Sequence, residues 1–413
     1  MNTDIENLFK DKVLGHPAGL FVLFFTEMWE RFSFYGMRVL LVNFLTMAVV
    51  GYNPGWEWSA ENATALFGTY AMLLYITPIV GGIIADKVTG YRWAVVIGSL
   101  IMALGHVSMA FETELSLYLG LGLLVIGTGF FKPNITSIIS EMYKEKPEKK
   151  DGAYTIFYMG VNAGGFFGML LCGYLAEKVG WAWGFGLAGV FMILGTLQFW
   201  LSGNLFGAIG DKPTKVHEVE ISQNINEEYP EKRAIENTKE KQNSYTIVDK
   251  VLIVISSVIG VCYAINDPVS KIAGIDMFGF LGSDVLEGQY VAVFFGLVLF
   301  LYLIITRISR YSKVVRDRMI AFVIFAFFTV FFWMSFEQGA TSLVLFARDS
   351  VDRVLSGGLA TLYNVINALL TIVPLAIITY VLYLLWKKTY NKIAGSNIAV
   401  SYTHLTLPTT PYV

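Results

Sequence analysis

Four charged side chains lie close together in the segment FTEMWERFSFYGMR, residues 25–38, which belongs to a long and otherwise apolar run. They are Glu27, Glu30, Arg31 and Arg38. A charged side chain at the centre of a bilayer costs about 2.5–3.5 kcal/mol to insert, so such groups usually pair with one another and face a polar cavity. The segment therefore predicts chemistry with protons or charged ligands inside a membrane helix.

The spacing of these residues places the charges on one side of a helix. At 100° per residue, one side spanning about 140° holds six residues, which are Glu27, Glu30, Arg31, Phe34, Tyr35 and Arg38. Trp29, Phe32 and Gly36 lie on the opposite side, which we expect to face lipid or packed protein. Glu27 and Arg31 are four residues apart, a spacing at which opposite charges meet. A static ion pair joining two helices is the alternative to a functional cavity.

Other polar groups occur inside apolar runs. Lys132, in GTGFFKPN, lies about nine residues or roughly 13 Å from the cytoplasmic end of its predicted helix, which is too far for easy snorkelling. Glu337, in FFWMSFEQG, is expected deep in the ninth run, where a carboxylate must be paired or protonated. Asn162 and Tyr75 are weaker candidates, because each could equally form a hydrogen bond between helices.

The composition places these residues in an all-α membrane protein. Hydrophobic residues make up 55% of the 413 and charged residues only 15%, against about a quarter charged in soluble proteins. A spanning helix needs roughly 20 apolar residues. Ten runs meet this need, near residues 18–50, 62–85, 93–111, 115–140, 153–176, 182–205, 247–265, 288–307, 318–346 and 361–386.

Loop charges predict the orientation of these helices. Lys and Arg cluster in alternate connectors, such as KEKPEKK and RISRYSKVVRDR, which indicates a cytoplasmic N-terminus by the positive-inside rule. Residues 206–246 form a polar stretch, which we interpret as a cytoplasmic linker. The net charge of −2 indicates no nucleic-acid partner.

Several function classes are excluded by missing patterns. The sequence contains no GxGxxG, P-loop, HExxH or GxSxG motif, so neither nucleotide-driven transport nor hydrolysis is indicated. Cys172 and Cys262 have no metal-binding or disulfide spacing and are interpreted as packing thiols. His106 is interpreted as a packed polar residue rather than a proton relay. We therefore expect a carrier without a cofactor, not an enzyme.

Five ordered segments resemble the proton-coupled oligopeptide transporters, a family of the major facilitator superfamily. EMWERFSFYG at 27–36 resembles the family's ExxERFxYYG signature, and GGIIADKVTGYRW at 81–93 resembles the superfamily's loop between its second and third helices. Three further segments match family motifs in the expected order: GTGFFKPNITS at 127–137, FYMGVNAGGFFG at 157–168 and FWMSFEQGATSL at 332–343.

The resemblance implies roles for individual residues. It places nine around a central peptide cavity, namely Arg31, Tyr35, Arg38, Tyr75, Lys132, Tyr158, Asn162, Trp333 and Glu337. It assigns proton coupling to Glu27, Glu30, Arg31, Lys132 and Glu337. A peptide is a zwitterion, so its carboxylate suits Arg and Lys, and its ammonium suits a carboxylate such as Glu337. We also predict that Arg38 and Glu337 pair to close an outer gate.

Some positions depart from the family pattern. Phe34 replaces the first signature tyrosine, which removes a hydroxyl from the cavity. Gly68 stands where animal members carry a proton-linked histidine. The runs at 247–265 and 288–307 resemble two extra helices of bacterial members, so only eight of twelve core helices are expected here, in a chain that looks truncated.

These observations give a predicted organisation into five parts. They are a six-helix bundle at 1–205, a linker at 206–246, a two-helix insertion at 247–307, the first two helices of a second bundle at 308–390 and a non-native tail at 400–413.

The predicted function is proton-driven uptake of di- and tripeptides by alternating access. The predicted setting is a monomer in the cell (inner) membrane, with the proton gradient in place of a cofactor. Two alternatives stay open: the same fold carrying nitrate or a glycoside, and a nutrient-sensing membrane scaffold.

Overall fold

The computed structural model describes residue 10, residues 12–212 and residues 243–406, with only the backbone from 391 onwards. Most of the predicted linker and the last part of the predicted tail lie outside these residues. A short hairpin pairs β1 (Lys12–Val13) with β2 (His16–Pro17). The helices that follow are α1 (Ala18–Thr46), α2 (Ala60–Ile84), α3 (Tyr91–Met109), α4 (Glu114–Met142), α5 (Lys150–Lys178), α6 (Trp181–Leu201), α7 (Ile247–Ala273), α8 (Gly288–Ser309), α9 (Lys313–Glu337), α10 (Ser342–Asp349) and α11 (Gly357–Thr406).

The all-α membrane class predicted from composition is confirmed. In the described part of the chain, nine helices are long and apolar enough to cross a membrane, namely α2 to α9 and α11. α1 corresponds to the first predicted span, near residues 18–50, and is not among these nine helices. Its 29 residues exceed the length that a bilayer requires, but its four charged residues all lie within residues 27–38, near its middle.

The chain forms two compact units. The first contains Met1–Trp56, Leu73–Pro213 and Arg348–Val413, and the second contains Glu57–Met72 and Thr214–Ala347. In the first unit, α1 packs against α5 and α6, and α3 packs against α4 and α6. The five-part division made from the sequence stays a prediction.

Glycines allow α1 and α5 to approach closely. A Cβ atom on Gly168 would meet the backbone carbonyl of Phe32, and one on Gly164 would meet the backbone carbonyl of Met28. From the other helix, a Cβ on Gly36 would meet the thiol of Cys172. Close packing through small residues, expected for membrane helices, therefore fixes α1 against α5.

Two side chains join the helix ends of the first unit to their connectors. Arg92 Nη1 donates to the Gly207 carbonyl at 2.9 Å and lies 2.9 Å from Asp211 Oδ1. His16 Nδ1 lies 2.7 Å from the hydroxyl of Tyr143, which is fully buried. These contacts hold the β1–β2 hairpin at the end of α4, and hold the segment after α6 at the start of α3.

In the second unit, a buried carboxylate joins α7 to α8. Asp249, in the first turn of α7, caps that helix together with Thr246. The same carboxylate pairs with Arg310 just after α8 and lies 3.5 Å from Arg307 Nη1. Arg307 also stacks over the Tyr245 ring, with its Cζ 4.0 Å from the ring centroid.

The ninth apolar run differs from its prediction. We expected one helix over 318–346 with Glu337 deep inside it, but α9 begins at Lys313 and ends at Glu337. A 3₁₀ turn follows, and the backbone then leaves the helical region at Thr341. Gly339 in that turn has a poor helix propensity. Glu337 therefore lies at a helix end, beside a break in the backbone.

Candidate functional site

The charged residues near the middle of α1 form an ion-paired triad. Arg31 Nε lies 3.0 Å from Glu27 Oε1. Arg31 Nη2 donates to Glu30 Oε1 at 2.7 Å, and its Nε also pairs with Glu30. The i, i+4 meeting of Glu27 and Arg31 predicted from spacing is present. The triad lies within one helix, so it is not an ion pair that joins two helices.

These charges are enclosed by protein. The exposed fractions are 5% for Glu27, 0% for Glu30, and 6% each for Arg31 and Arg38. Removing charges from water is costly unless each has a partner close by. Two carboxylates on one guanidinium satisfy this condition.

The opposite side of α1 packs against α6. The Trp29 ring stacks on Phe191 with centroids 4.9 Å apart, and Phe32 lies 4.1 Å from the same ring. Ser33 Oγ donates to the Ala188 carbonyl at 2.7 Å. Of the two environments expected for this side, the structure shows packed protein. The packing fixes the rotation of α1 and hence the direction of its charged side.

Two aromatic rings hold the second arginine of α1. Arg38 Cζ lies 5.9 Å from the Phe34 ring centroid and 5.8 Å from that of Tyr35. Arg31 Cζ lies 5.0 Å from the same Phe34 ring. The two rings meet edge to face, 5.1 Å apart. One Phe34 side chain therefore contacts both guanidinium groups.

Lys132 and Tyr75 come together from α4 and α2. Lys132 Nζ lies 5.0 Å from the Tyr75 ring centroid, within cation–π range. The ammonium also interacts electrostatically with Glu27. Pro133 does not end the helix, and α4 continues to Met142. The hydroxyls of Thr136 and Ser137 each donate to the Pro133 carbonyl at 2.9 Å.

Two further predicted site residues, Tyr158 and Asn162, lie on α5. Tyr158 lies near Tyr35 of α1. Tyr158 is 64% exposed. Asn162 is also exposed, and its Nδ2 donates to the Tyr158 carbonyl at 3.0 Å. Asn162 thus bonds within its own helix, and the structure gives it no partner on another helix among its described hydrogen bonds.

Trp333 and Glu337 belong to the second unit. The Trp333 ring meets Phe332 and Phe336, with centroids 5.5 and 5.4 Å apart. Glu337 is partly exposed at the end of α9. Their placement in the peptide cavity and the pairing of Glu337 with Arg38 stay predictions.

The contact of Phe34 with both arginines was missed by the sequence reasoning, which placed this residue on the charged side of α1 but otherwise treated it as a lost hydroxyl. Its positions three residues after Arg31 and four before Arg38 were the available signal, because both spacings bring side chains together on a helix. His106 agrees with its interpretation as a packed residue: it is fully buried. Within the described residues, its ring nitrogens have no hydrogen-bond partner.

A small cavity behind α1 offers no polar group. Its volume is about 10 Å³, and it is lined by Met28, Trp29, Phe32, Gly164, Phe167, Leu375 and Ile378. This apolar lining does not suit a zwitterion. Among the described residues, no group of three His, Cys, Asp or Glu side chains is placed to hold a metal ion.

Comparisons with known proteins bear on the family of the chain. Residues 92–277 match the PTR2 family model, described as the POT family. The peptide transporter YePEPT of Yersinia enterocolitica subsp. palearctica serotype O:3 (strain YE-P4) is 33% identical over 350 residues, which cover 83% of this chain and 62% of that protein. The di-/tripeptide transporter of Lactococcus lactis subsp. cremoris is 35% identical over 226 residues, 54% of this chain and 45% of the relative.

A solved structure gives the same result at the level of the fold. It is a crystal structure of a single-residue variant of the peptide transporter POT in complex with alafosfalin, with a TM-score of 0.59 and 27% identity. The match covers 86% of this chain and 65% of that one. The chain thus spans less than two thirds of the length of each of these three relatives. The ordered motifs, the membrane helices and these similarities together show that the chain is a multi-pass membrane protein with a POT-family domain over residues 92–277, and that the relatives it matches are transporters, not enzymes.

Proposed function

We propose that this chain takes part in proton-coupled uptake of di- and tripeptides. The observation that carries the proposal is the enclosed cluster of opposite charges on α1, extended by Lys132 from α4. Relatives described as peptide transporters support the cargo class.

The charge balance of the cluster suits a peptide carboxylate. With all groups ionised, Glu27 and Glu30 contribute −2, and Arg31, Arg38 and Lys132 contribute +3, which leaves +1. A single carboxylate would neutralise this excess in a site from which water is largely excluded, where electrostatic attraction is strong. Arg38 offers a fork for bidentate binding, and Lys132 adds a mobile point charge.

Proton coupling follows from the competition for Arg31. Both carboxylates share one guanidinium, so a peptide carboxylate that draws Arg31 away leaves Glu27 or Glu30 without compensation. An uncompensated buried carboxylate takes up a proton. Peptide and proton would then bind together and move down an inward proton gradient.

The remaining site assignments form part of the proposal. Tyr35, Tyr75, Tyr158, Asn162 and Trp333 would supply hydroxyl, amide and ring contacts to the peptide. Glu337 would receive the ammonium group and take part in coupling. The protein would act as a monomer in the cell membrane, with a cytoplasmic N-terminus, as the loop charges indicate.

The +1 excess also favours a second candidate, a small anion such as nitrate, which needs no ammonium partner. The two are separated by competition in proteoliposomes, with uptake of labelled dialanine driven by an inward proton gradient. We expect unlabelled di- and tripeptides to compete and nitrate to have no effect. Failure to accumulate dialanine, together with gradient-driven uptake of labelled nitrate, would replace our assignment.

Glu337 provides a residue-level test of the proposed cargo. We expect Glu337→Gln to abolish gradient-driven accumulation of dialanine, because the variant loses both a charge and a titrating group. Glu177→Gln is the control, since that carboxylate is 77% exposed and pairs only loosely with Lys178. Unaltered accumulation by Glu337→Gln would remove Glu337 from the mechanism.

A further inference from the structure

One phenylalanine ring contacts both arginines of α1. The Phe34 ring centroid lies 5.0 Å from Arg31 Cζ and 5.9 Å from Arg38 Cζ. Both distances fall within the range of cation–π attraction, about 6 Å. Both guanidinium groups are nearly fully buried, and cation–π attraction is stronger where water is excluded.

The Phe34 ring reduces the electrostatic cost of placing two buried arginines close together. Arg31 and Arg38 carry like charges on the same side of one helix, and Arg31 is held by two carboxylates of α1. The face of an aromatic ring carries the negative part of its quadrupole, so a ring that contacts two cations lowers the free energy of both. A phenylalanine does this without a hydroxyl, which would add a competing hydrogen-bonding group.

We propose that Phe34 is a positioning residue for transport. Its ring holds the Arg38 guanidinium ready for the peptide carboxylate, while the same ring keeps Arg31 beside Glu27 and Glu30. The ligand-binding arginine and the ion-paired arginine are thereby joined through one side chain. This inference rests on the proposed peptide uptake and adds the element that orients its cations.

The test compares substitutions that keep or remove the ring. Phe34→Leu retains an apolar side chain without a π face, and Phe34→Tyr retains the aromatic ring. We expect Phe34→Leu to raise the KM for dialanine about five- to tenfold, the loss of one or two buried cation–π contacts, with kcat little changed. Phe34→Tyr keeps the ring, so its KM should lie within about twofold of the wild-type KM.

A second variant separates positioning from packing. Phe32→Leu, two residues earlier, removes a ring that packs against Phe191 and contacts no described arginine. We expect Phe32→Leu to lower the melting temperature in detergent and to leave KM unchanged. A wild-type KM in Phe34→Leu would overturn the positioning role. A KM raised equally in Phe34→Leu and Phe34→Tyr would overturn it as well. A wild-type protein that transports no peptide would instead overturn the proposed function.

Discussion

At the scale of single residues, the central feature is a buried guanidinium shared by two carboxylates. Arg31 lies between Glu27 and Glu30, and none of the three is more than 6% exposed. Buried ion pairs contribute little net stability, but removal of one partner is costly because the other charge is left uncompensated. With all three groups ionised the triad carries a net charge of −1, so it is sensitive to any proton or ligand that changes its charge.

Neutralising Glu30 should affect both stability and coupling. Glu30→Gln removes the fully buried carboxylate that accepts a hydrogen bond from Arg31, although Arg31 keeps its pair with Glu27, so we expect a loss of about 1–3 kcal/mol in the free energy of unfolding. Thermal unfolding in detergent measures this loss. Glu177→Gln, at an exposed position, should change the unfolding temperature very little. Equal unfolding temperatures for the two variants would contradict the compensated triad.

His16 should make stability depend on pH. Burial and the nearby Lys149 lower the pKa of His16 below its ordinary value of 6.5. Well above pH 6.5 the imidazole is neutral in both folded and unfolded chains, so it contributes no pH dependence there. Below pH 6.5 the unfolded chain binds the proton more readily, and stability falls as the pH decreases.

The measurement is the melting temperature between pH 7.5 and pH 5. We expect His16→Gln to flatten part of the decline below pH 6.5, because glutamine does not titrate. The Tyr143 hydroxyl can still pair with the glutamine amide, which limits the structural cost. An identical pH profile in both proteins would show that His16 contributes nothing to it.

At the scale of elements, apolar run length predicted the helices well, and local backbone chemistry set their limits. The run at 153–176 is contained in α5, and the run at 93–111 matches α3 closely. The run at 318–346 failed because hydropathy alone does not register the weak helix propensity of Gly339. The run at 18–50 overshot α1, which ends at Thr46.

The candidate site was predictable where helical spacing decides contacts. The Glu27–Arg31 pair and the common side of the α1 charges follow from the helical repeat. The Lys132–Tyr75 contact joins two helices, so it depends on how α2 and α4 pack, which spacing within one helix does not specify. The double contact of Phe34 was implicit in its spacing, but it needed side-chain directions to be recognised.

The close approach of α1 and α5 gives a prediction at this scale. A methyl group on Gly168 would meet the Phe32 carbonyl, so Gly168→Ala should destabilise the protein by about 1–3 kcal/mol through overpacking. Gly173→Ala, in the same helix, is the matched control because the space around it is open. Thermal unfolding in detergent compares the two. A Gly168→Ala protein as stable as Gly173→Ala would mean that the α1–α5 distance is not limited by this glycine.

At the scale of the whole molecule, the charge distribution predicts which ends of the helices face the cytoplasm. Tyr52, 85% exposed after α1, and Lys144, exposed after α4, lie in connectors of opposite predicted side. In a background where Cys172 and Cys262 are replaced by Ala, we expect an impermeant maleimide to label Tyr52→Cys on intact cells. Lys144→Cys should react only after permeabilisation. The reverse labelling pattern would invert the topology.

The most direct test of the account is whether the charge cluster of α1 couples peptide movement to protons. The measurement is accumulation of labelled dialanine by proteoliposomes, with and without an inward proton gradient, for the wild type and Glu30→Gln. We predict that the gradient drives accumulation in the wild type, and that Glu30→Gln exchanges peptide across the membrane without concentrating it. Gradient-driven accumulation by Glu30→Gln equal to that of the wild type would contradict the central claim.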